Sequence, residues 1–224
     1  MQEAAHVGRV EEWTERQRDV LDAVLSLLVE SGDAVTMAAV ARRASCSKET
    51  LYKWFGDRDG LLTATVKRQA SRVHVADVDA HRLDAASLKA HLTDYAASWL
   101  SVISGPRSVA LNRVAIGHAG SGRSNLGAIV LENGRFALGR RMKPMLEAGR
   151  KRGLLRFDDG EEAFQTFFGL VARDVQIRLL LGDRLELTGE RIARDARRAV
   201  DQFLALYGIS EDRGRGPADK QREG

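Results

Sequence analysis

The chain has 224 residues and a net charge of +4, with 44% hydrophobic and 29% charged residues. This composition is typical of a folded globular protein, and the sequence lacks both the roughly 20-residue apolar run of a membrane helix and the apolar core of an N-terminal signal peptide. The single cysteine, Cys46, excludes an intramolecular disulfide, so we expect a cytoplasmic protein without membrane contact.

The first predicted elements are four helices. Thr14 opens a capping box of the Thr-x-x-Gln type, and the apolar residues between 20 and 28 follow at helical spacing. Thr36 and Ser47 are candidate N-caps for two short helices, and Asp57 for a fourth helix that runs into the seventies. Two short helices joined by a tight turn predict a helix-turn-helix.

The third helix has one apolar and one polar face. At about 100° per residue, Leu51 and Phe55 are predicted to face inward. The residues predicted to face outward are Glu49, Thr50, Tyr52 and Lys53. A carboxylate, a hydroxyl, a phenol and a cation can hydrogen-bond base edges and phosphates in a major groove. Between residues 36 and 58 five cations stand against two anions, a local excess that suits a polyanion.

At this stretch the sequence resembles the DNA-binding domain of the TetR family, over about 50 residues. The resemblance rests on the run Ser47-Lys48-x-Thr50-Leu51-Tyr52 followed by Phe55-x-Asp57-Arg58. One departure is Ser45, where the family usually has Gly and the turn needs a positive φ, at a cost of roughly 1 kcal/mol. We expect the fold to accommodate it.

The resemblance implies roles for the matching residues. Phosphate contacts are expected from Thr36, Ser47, Tyr52 and Arg58. Base or groove contacts are expected from Lys48, Thr50 and Lys53. Two interpretations of Glu49 stay open, because its carboxylate could accept a hydrogen bond from a cytosine amino group or remain solvated at the edge of the interface.

Beyond residue 58 the chain becomes a series of longer helices, which gives an all-α fold of about nine helices. A helix from Leu126 to about Arg152 is interrupted at Asn133-Gly134 and at Pro144, which predicts a break or a kink. We expect a three-helix helix-turn-helix DNA-binding domain over 1–58, an effector-binding and dimerisation domain over 59–208, and a disordered tail over 209–224.

The resemblance also implies that helices four to seven enclose a ligand and that the last two helices form a homodimer interface. Apolar stripes on those last helices support pairing, although they could instead be buried within one chain. The predicted interface residues are Phe164, Phe168, Val171, Val175, Ile192, Ala196, Ala199 and Phe203. A role in the core is the favoured alternative for each candidate pocket residue. These candidates are Tyr95, Trp99, His118, Met142, Met145 and Phe167. The segment 149–158 resembles the C-terminal domains of AefR-like regulators.

A metal site is a further hypothesis. His74, Asp77, His81 and Asp84 would share one face if the fourth helix continued through them, and they could then bind a divalent metal. A solvated stripe or a loop that separates them is the alternative, so we assign no metal. The sequence has no Gly-x-Ser-x-Gly elbow, Walker loop or Rossmann glycine pattern, so we predict neither an enzyme nor a cofactor.

The sequence therefore predicts a transcription regulator that binds double-stranded operator DNA. We expect a dimeric repressor of a near-palindromic operator, released by a small and largely apolar effector. The alternatives are a regulator without an effector and an activator. No pattern in the sequence identifies the effector, the operator or the regulated genes.

Overall fold

A computed structural model describes residues 13–32, 35–76, 78–120 and 124–209, and these residues form an all-α protein, as predicted. The helices at the N-terminal end are α1 (Glu15–Ser31), α2 (Met37–Arg43), α3 (Lys48–Phe55) and α4 (Arg58–Ala70). They are followed by α5 (Ala85–Ser104), α6 (Pro106–His118), α7 (Leu126–Val130), a π-helical segment (Leu131–Phe136), α8 (Ala137–Lys151), α9 (Gly160–Ala172), α10 (Val175–Leu180) and α11 (Gly189–Tyr207). The predicted tail lies outside the described residues apart from Ile209.

The helix count also agrees with the prediction. The segments α7, π and α8 follow one another without a gap, and only residues 173 and 174 separate α9 from α10. When each of these runs is taken as one element, the described residues contain nine helices. No helix among them is long and apolar enough to cross a membrane.

The predicted N-caps are confirmed. The hydroxyls of Thr14, Thr36 and Ser47 accept hydrogen bonds from backbone N–H groups at 3.2, 3.1 and 3.1 Å. The carboxylate of Asp57 does the same for the N–H of Gly60 at 2.7 Å. Each cap satisfies a backbone donor that has no partner within its helix, which fixes where the first four helices begin.

The fourth helix ends at the start of the predicted range, which ran into the seventies. It ends at Ala70, and the guanidinium of Arg141 on α8 donates to the carbonyl oxygens of Ala70 at 3.1 Å and Val73 at 2.8 Å. A cation on the carbonyls of a last turn satisfies acceptors that a longer helix would have used itself. A distant residue therefore helps to end α4, and no local sequence signal announced it.

This early end corrects the hypothesis of a shared metal-binding face. His74 and His81 are exposed in the segment between α4 and α5, and the carboxylate of Asp84 caps α5 by accepting from the N–H of Ser87 at 2.7 Å. Asp77 lies outside the described residues. Within the part of the chain that the structure describes, no group of three metal-binding side chains is assembled.

The interruption predicted near Asn133-Gly134 is a π-helical segment and not a break. Asn133 donates its side-chain amide to the carbonyl of Ile129 at 3.1 Å, and the helix continues into α8. Pro144 lies inside α8 with its ring exposed. Inserted π turns are rare and occur often at functional sites.

Two hydrophobic cores hold the helices together. The first is formed by α1 to α4 together with Leu111 and Ala115 of α6 and Leu126 of α7. The second is formed mainly by α5, α8, α9 and α11, around Trp99 and Phe164. Because α4, α6 and α7 share the first core with the helix-turn-helix, packing continues across the boundary predicted at residue 58.

Candidate nucleic-acid interface

The turn between α2 and α3 has the predicted positive φ at Ser45, which is 50°. The side chain of Arg16 on α1 lies against this turn, and its Nη2 donates to the carbonyl oxygen of Ser45 at 2.9 Å and also to that of Ala44. A left-handed residue other than glycine costs roughly 1 kcal/mol, and the guanidinium contact supports that conformation. The sequence suggested a DNA contact or an exposed helix face for Arg16 and not this contact, because a first-helix arginine gives no sign of which carbonyls it will meet.

The inner face of α3 is anchored as predicted. Leu51 is completely buried, and Phe55 is half-buried with its ring centroid 6.2 Å from that of Trp54. The helix ends at Gly56, whose φ of 80° favours glycine. The next helix begins so close that a Cβ on Gly60 would lie 2.0 Å from the carbonyl oxygen of Phe55. The orientation of α3 is therefore fixed from beneath and from its C-terminal end.

The outer face of α3 carries the predicted polar side chains. Tyr52 is 52% exposed although it follows the fully buried Leu51, and Lys48, Glu49 and Lys53 are exposed as well. Thr50 is half-buried, and its hydroxyl lies 3.1 Å from that of Ser47. Thr36, at the start of α2, is also exposed.

The N-terminus of α3 interacts with the carboxylate of Glu49. A hydrogen bond from its own backbone N–H, and then one from the Ser47 hydroxyl, hold the pKa of Glu49 below its ordinary value. Glu49 is therefore an ionised group at the positive end of the α3 dipole. A DNA phosphate approaching the same amides meets this negative charge first.

The cations of this region have different surroundings. Arg43 forms two hydrogen bonds to the carboxylate of Glu30 on α1, which offsets its charge. The half-buried Arg58 points its Nη1 to the hydroxyl of Ser124 at 3.4 Å. Lys48 and Lys53 are exposed and form no ion pair within the described residues. These two lysines are thus the cations of the α3 face that are best placed to meet phosphate.

The helix-turn-helix region is connected to α4 and α6 through Asp22 on α1. Its carboxylate is 2.9 Å from Arg72 and 3.7 Å from Arg68, both near the C-terminal end of α4, and 3.4 Å from Arg107 on α6. Close by, Gln69 donates to the hydroxyl of Ser108 at 2.8 Å, and both side chains are buried. One carboxylate thus joins α1 to α4 and α6.

The candidate pocket residues do not form one group. Tyr95, Trp99, Met142, Met145 and Phe167 lie in the second core, fully or almost fully buried. Their rings pack against aromatic neighbours, with the centroid of Trp99 4.4 Å from that of Phe168. The exception is His118, a buried residue at the end of α6, a helix whose buried Leu111 and Ala115 belong to the first core. His118 therefore belongs to a different helix face from the other five candidate pocket residues, and its place in a pocket stays a prediction.

The predicted dimer stripe is also corrected at the level of side chains. Phe164, Ala196 and Phe203 have 0% exposure in the single chain, because α9 and α11 pack against each other and against α5. The other members that are buried or nearly buried are Val171, Val175 and Ala199. Of the predicted stripe, only Phe168 and Ile192 keep part of their side-chain surface exposed to solvent. Any interface on these helices has to use their opposite, exposed sides.

Comparison with known families supports the fold and the nature of this interface. Residues 20–65 match the bacterial regulatory proteins of the TetR family, and residues 90–209 match the C-terminal domain of AefR-like transcriptional repressors. A crystal structure of a TetR transcriptional regulator from Agrobacterium tumefaciens is 45% identical, with a TM-score of 0.78, over 90% of this chain and 99% of that one. The flavonoid-responsive regulator FrrA is 28% identical, with a TM-score of 0.64, over 86% of this chain and 97% of that one.

Curated relatives match over a short part of the chain. The transcriptional repressor KstR of Rhodococcus jostii is 40% identical over 60 residues, which are 26% of this chain and 28% of KstR. The transcriptional regulator BetI of Paraburkholderia phytofirmans is 43% identical over 53 residues, or 23% and 27% of the two chains. The match thus spans little more than a quarter of these curated relatives. Together with the helix-turn-helix and the longer family matches, it establishes that the chain belongs to the TetR family of bacterial DNA-binding transcription regulators and carries an AefR-like C-terminal domain.

Proposed function

We propose that this chain is a ligand-responsive transcriptional repressor that binds a near-palindromic operator as a homodimer in the cytoplasm. The observation that carries the proposal is the face of α3 on which Tyr52 and Lys53 project outward while Leu51 is completely buried beneath them. A helix whose inner side is fixed in a core can present its outer side to a major groove without a change in its own fold.

The proposed contacts follow from exposure and chemistry. Thr36, Ser47 and Tyr52 carry exposed hydroxyl groups that can donate to phosphate oxygens while the two caps stay in place. Base edges are the proposed targets of Lys48, Thr50 and Lys53. Arg58 would have to exchange its long contact with Ser124 for a phosphate, which makes it the contact that depends most on the position of α4.

Two copies would read two half-sites related by a twofold axis. For the interface we propose the exposed sides of α10 and α11, with a second copy of the same chain as the partner. Support comes from Ile177, Leu181 and Leu206, large apolar side chains that are at least half exposed, with Leu181 at 80%. Apolar surface of this kind on the helices that end the chain favours burial against a second copy.

Release by an effector is proposed to act through α4. This helix begins at the reading helix, packs against the π-helical segment, and ends under the guanidinium of Arg141. FrrA, a structurally similar regulator, is flavonoid-responsive, which supports a ligand response in this chain. A ligand can shift the chain only by its difference in affinity between the DNA-competent and DNA-incompetent states.

A regulator without an effector is the second candidate, and one observation favours it. Tyr95, Trp99 and Phe167 are packed on neighbouring rings in a closed core, so a ligand has to separate side chains that already contact one another. An activator would use the same DNA contacts at a different promoter position.

The test is a selection of DNA by the purified full-length chain from a random double-stranded library of about 30 base pairs, which accommodates two half-sites one helical turn apart. We expect an enriched inverted repeat, a binding stoichiometry of two chains per site, and an affinity that falls steeply with salt. Recovery of a single half-site bound by one chain would contradict the homodimer, and the absence of any enriched sequence would contradict the repressor.

A further inference from the structure

One arginine of the π-helical segment packs its side chain against the second core. Arg135 belongs to that segment, and its guanidinium lies over the ring of Phe168 at 4.2 Å from the centroid and over that of Phe164 at 4.9 Å. Its Nη1 atom is buried and has no hydrogen-bond acceptor within the described residues. A buried cationic donor without an acceptor is destabilising, because the group has lost water and gained nothing equivalent.

The neighbouring carboxylate is already engaged. Glu161 on α9 accepts from Lys143 at 2.9 Å and from Gln165 at 3.3 Å, and it forms no hydrogen bond with Arg135. The pKa of Glu161 is lowered first by the Lys143 hydrogen bond, with the charge of Arg135 among the weaker causes. Two cations, Lys143 and Arg135, therefore act on this one carboxylate, and only Lys143 is hydrogen-bonded to it.

The polar groups nearby are donors set among aromatic rings. The hydroxyl of Tyr95 donates to the carbonyl of Leu138 at 3.3 Å, and burial raises its pKa, so it stays an uncharged donor. The rings of Trp99, Phe164 and Phe168 lie within 4.4 to 6.4 Å of one another. A molecule that suits this arrangement has a flat apolar body and an anionic group that accepts from a guanidinium.

We infer that Arg135 is the anion-recognition group of the effector site, and that the effector is a small aromatic carboxylate whose ring inserts between Trp99, Phe164 and Phe168. This inference rests on the proposed function and specifies the chemistry of its ligand. The carboxylate accepts from Nη1, the donor that has no acceptor in the described residues. The ligand ring takes the place of an existing ring contact, which is why the core is closed without it.

The π-helical segment can also transmit ligand binding through α4 to α3, the proposed DNA-reading helix. The π-helical segment packs against α4, and a Cβ on Gly134 would lie 3.9 Å from Cγ1 of Val66. A π turn can revert to α-helical geometry by a local shift of its backbone. A ligand that draws Arg135 toward its carboxylate therefore moves a segment in direct contact with the helix that leads to α3.

The experiment uses the full-length chain and two isosteric probes, 1-naphthoate and neutral 1-naphthamide, with affinities measured by titration calorimetry. We expect wild type to bind naphthoate about tenfold more tightly, as one charge-assisted hydrogen bond provides. In Arg135→Gln that ratio should fall to about one. Arg140→Gln is the matched control, since Arg140 lies five residues further along on the surface, paired with Glu132 at 2.8 Å, and should keep the wild-type ratio.

Equal affinity of wild type for the two probes, no binding of either, or an unchanged ratio in Arg135→Gln would overturn the inference. If thermal melting shows that Arg135→Gln does not fold, Arg135→Lys takes its place, and a ratio that drops below the wild-type value supports the inference while an unchanged ratio overturns it. Binding of the selected operator is measured on the same samples. Retained operator binding without a naphthoate preference overturns the effector chemistry alone, whereas wild type that selects no operator overturns the proposed function.

Discussion

The proposed DNA-reading surface of α3, formed by residues 48, 49, 50, 52 and 53, and the aromatic core around Trp99 differ in exposure, in polarity and in the contacts that hold them. On α3 the outer side chains are exposed, polar and held by a single completely buried residue, Leu51. Around Trp99 the side chains are buried, aromatic and held by contacts from three or more helices. The exposure of α3 follows from its own periodicity, whereas the state of the core follows from which distant helices meet there.

The two regions are connected through α4, which follows α3 directly in the chain and contacts Arg141 of α8 at its C-terminal end. At its first turn Gly60 allows α4 to approach the end of α3. At its last residue, Ala70, the carbonyl oxygen accepts a hydrogen bond from Arg141 of α8. Asp22 adds a polar connection from α1 to the same helix. Substitutions of Gly60, Arg141 or Asp22 should affect the reading surface and the aromatic core together. Substitutions within either region should affect that region alone.

The largest expected effect comes from Gly60→Ala, which acts where the first turn of α4 approaches the end of α3. The new Cβ would lie 2.0 Å from the carbonyl oxygen of Phe55, so backbone has to move. We expect the free energy of unfolding to fall by about 3 kcal/mol, and the melting temperature by roughly 6 to 12 °C. Circular dichroism and operator binding should show the losses together.

The matched control is Gly169→Ala in α9. A Cβ at Gly169 meets nothing within 4 Å, and alanine is a better helix former than glycine. We expect this variant to melt at or slightly above the wild-type temperature. If Gly60→Ala melted like Gly169→Ala, the close approach of α4 to α3 would be wrong.

The local parts of the structure could be predicted from the sequence, and the distant contacts could not. The caps at Thr36 and Ser47, the outward side chains of α3 and the positive φ of Ser45 each depend on a few adjacent residues. The contact of Arg16 with the turn joins residues almost thirty positions apart, and that of Arg141 with α4 joins residues about seventy apart. Apolar spacing marks a buried face but not its partner.

The buried dimer stripe illustrates the same limit. The periodicity of Phe164 and Phe203 correctly indicated faces that need apolar partners. It could not tell a second chain from another helix of the same chain. The structure packs Phe203 against Phe167 and Phe164 against Trp99 within one core. The buried Nη1 of Arg135, which has no acceptor within the described residues, could not be predicted for the same reason. A single arginine in a polar stretch gives no sign that part of its side chain will be buried.

Within the reading surface, Tyr52→Phe removes one exposed hydroxyl and leaves the ring in place. If the phenol donates to a phosphate, affinity for every operator sequence should fall about tenfold at moderate salt. Fluorescence anisotropy with the selected operator measures it. Tyr207→Phe is the control, because its hydroxyl lies 3.1 Å from that of Thr166 in the other region. Unchanged affinity of Tyr52→Phe would contradict the assigned orientation of α3 on DNA.

Between the regions, Asp22→Asn removes the charge that three arginines share. The groups are partly exposed, so we expect a loss of only about 1 kcal/mol of stability, decreasing with added salt. Operator affinity should change as well, because α1 and α4 lose a common anchor. Asp201→Asn, which breaks an exposed pair with Lys89 at 2.7 Å inside the second region, should leave operator affinity unchanged. Equal behaviour of the two variants would mean that Asp22 does not connect the regions.

The smallest effect is expected from Glu49→Gln, which tests whether this carboxylate opposes DNA or reads it. The pKa of Glu49 lies below its ordinary value, chiefly through its own backbone N–H, so the group is ionised at neutral pH, and its contribution to folding is lost only as the pH falls through that lowered value. Removing the charge should raise affinity for all sequences by roughly threefold, with no pH dependence between pH 6 and 8. If Glu49 instead accepts from a cytosine amino group, the variant will lose discrimination at one base pair of the selected operator and gain nothing elsewhere. Comparing wild type and variant on the selected operator and on single-base variants of it separates these outcomes, because repulsion is uniform along the DNA and a base contact is not.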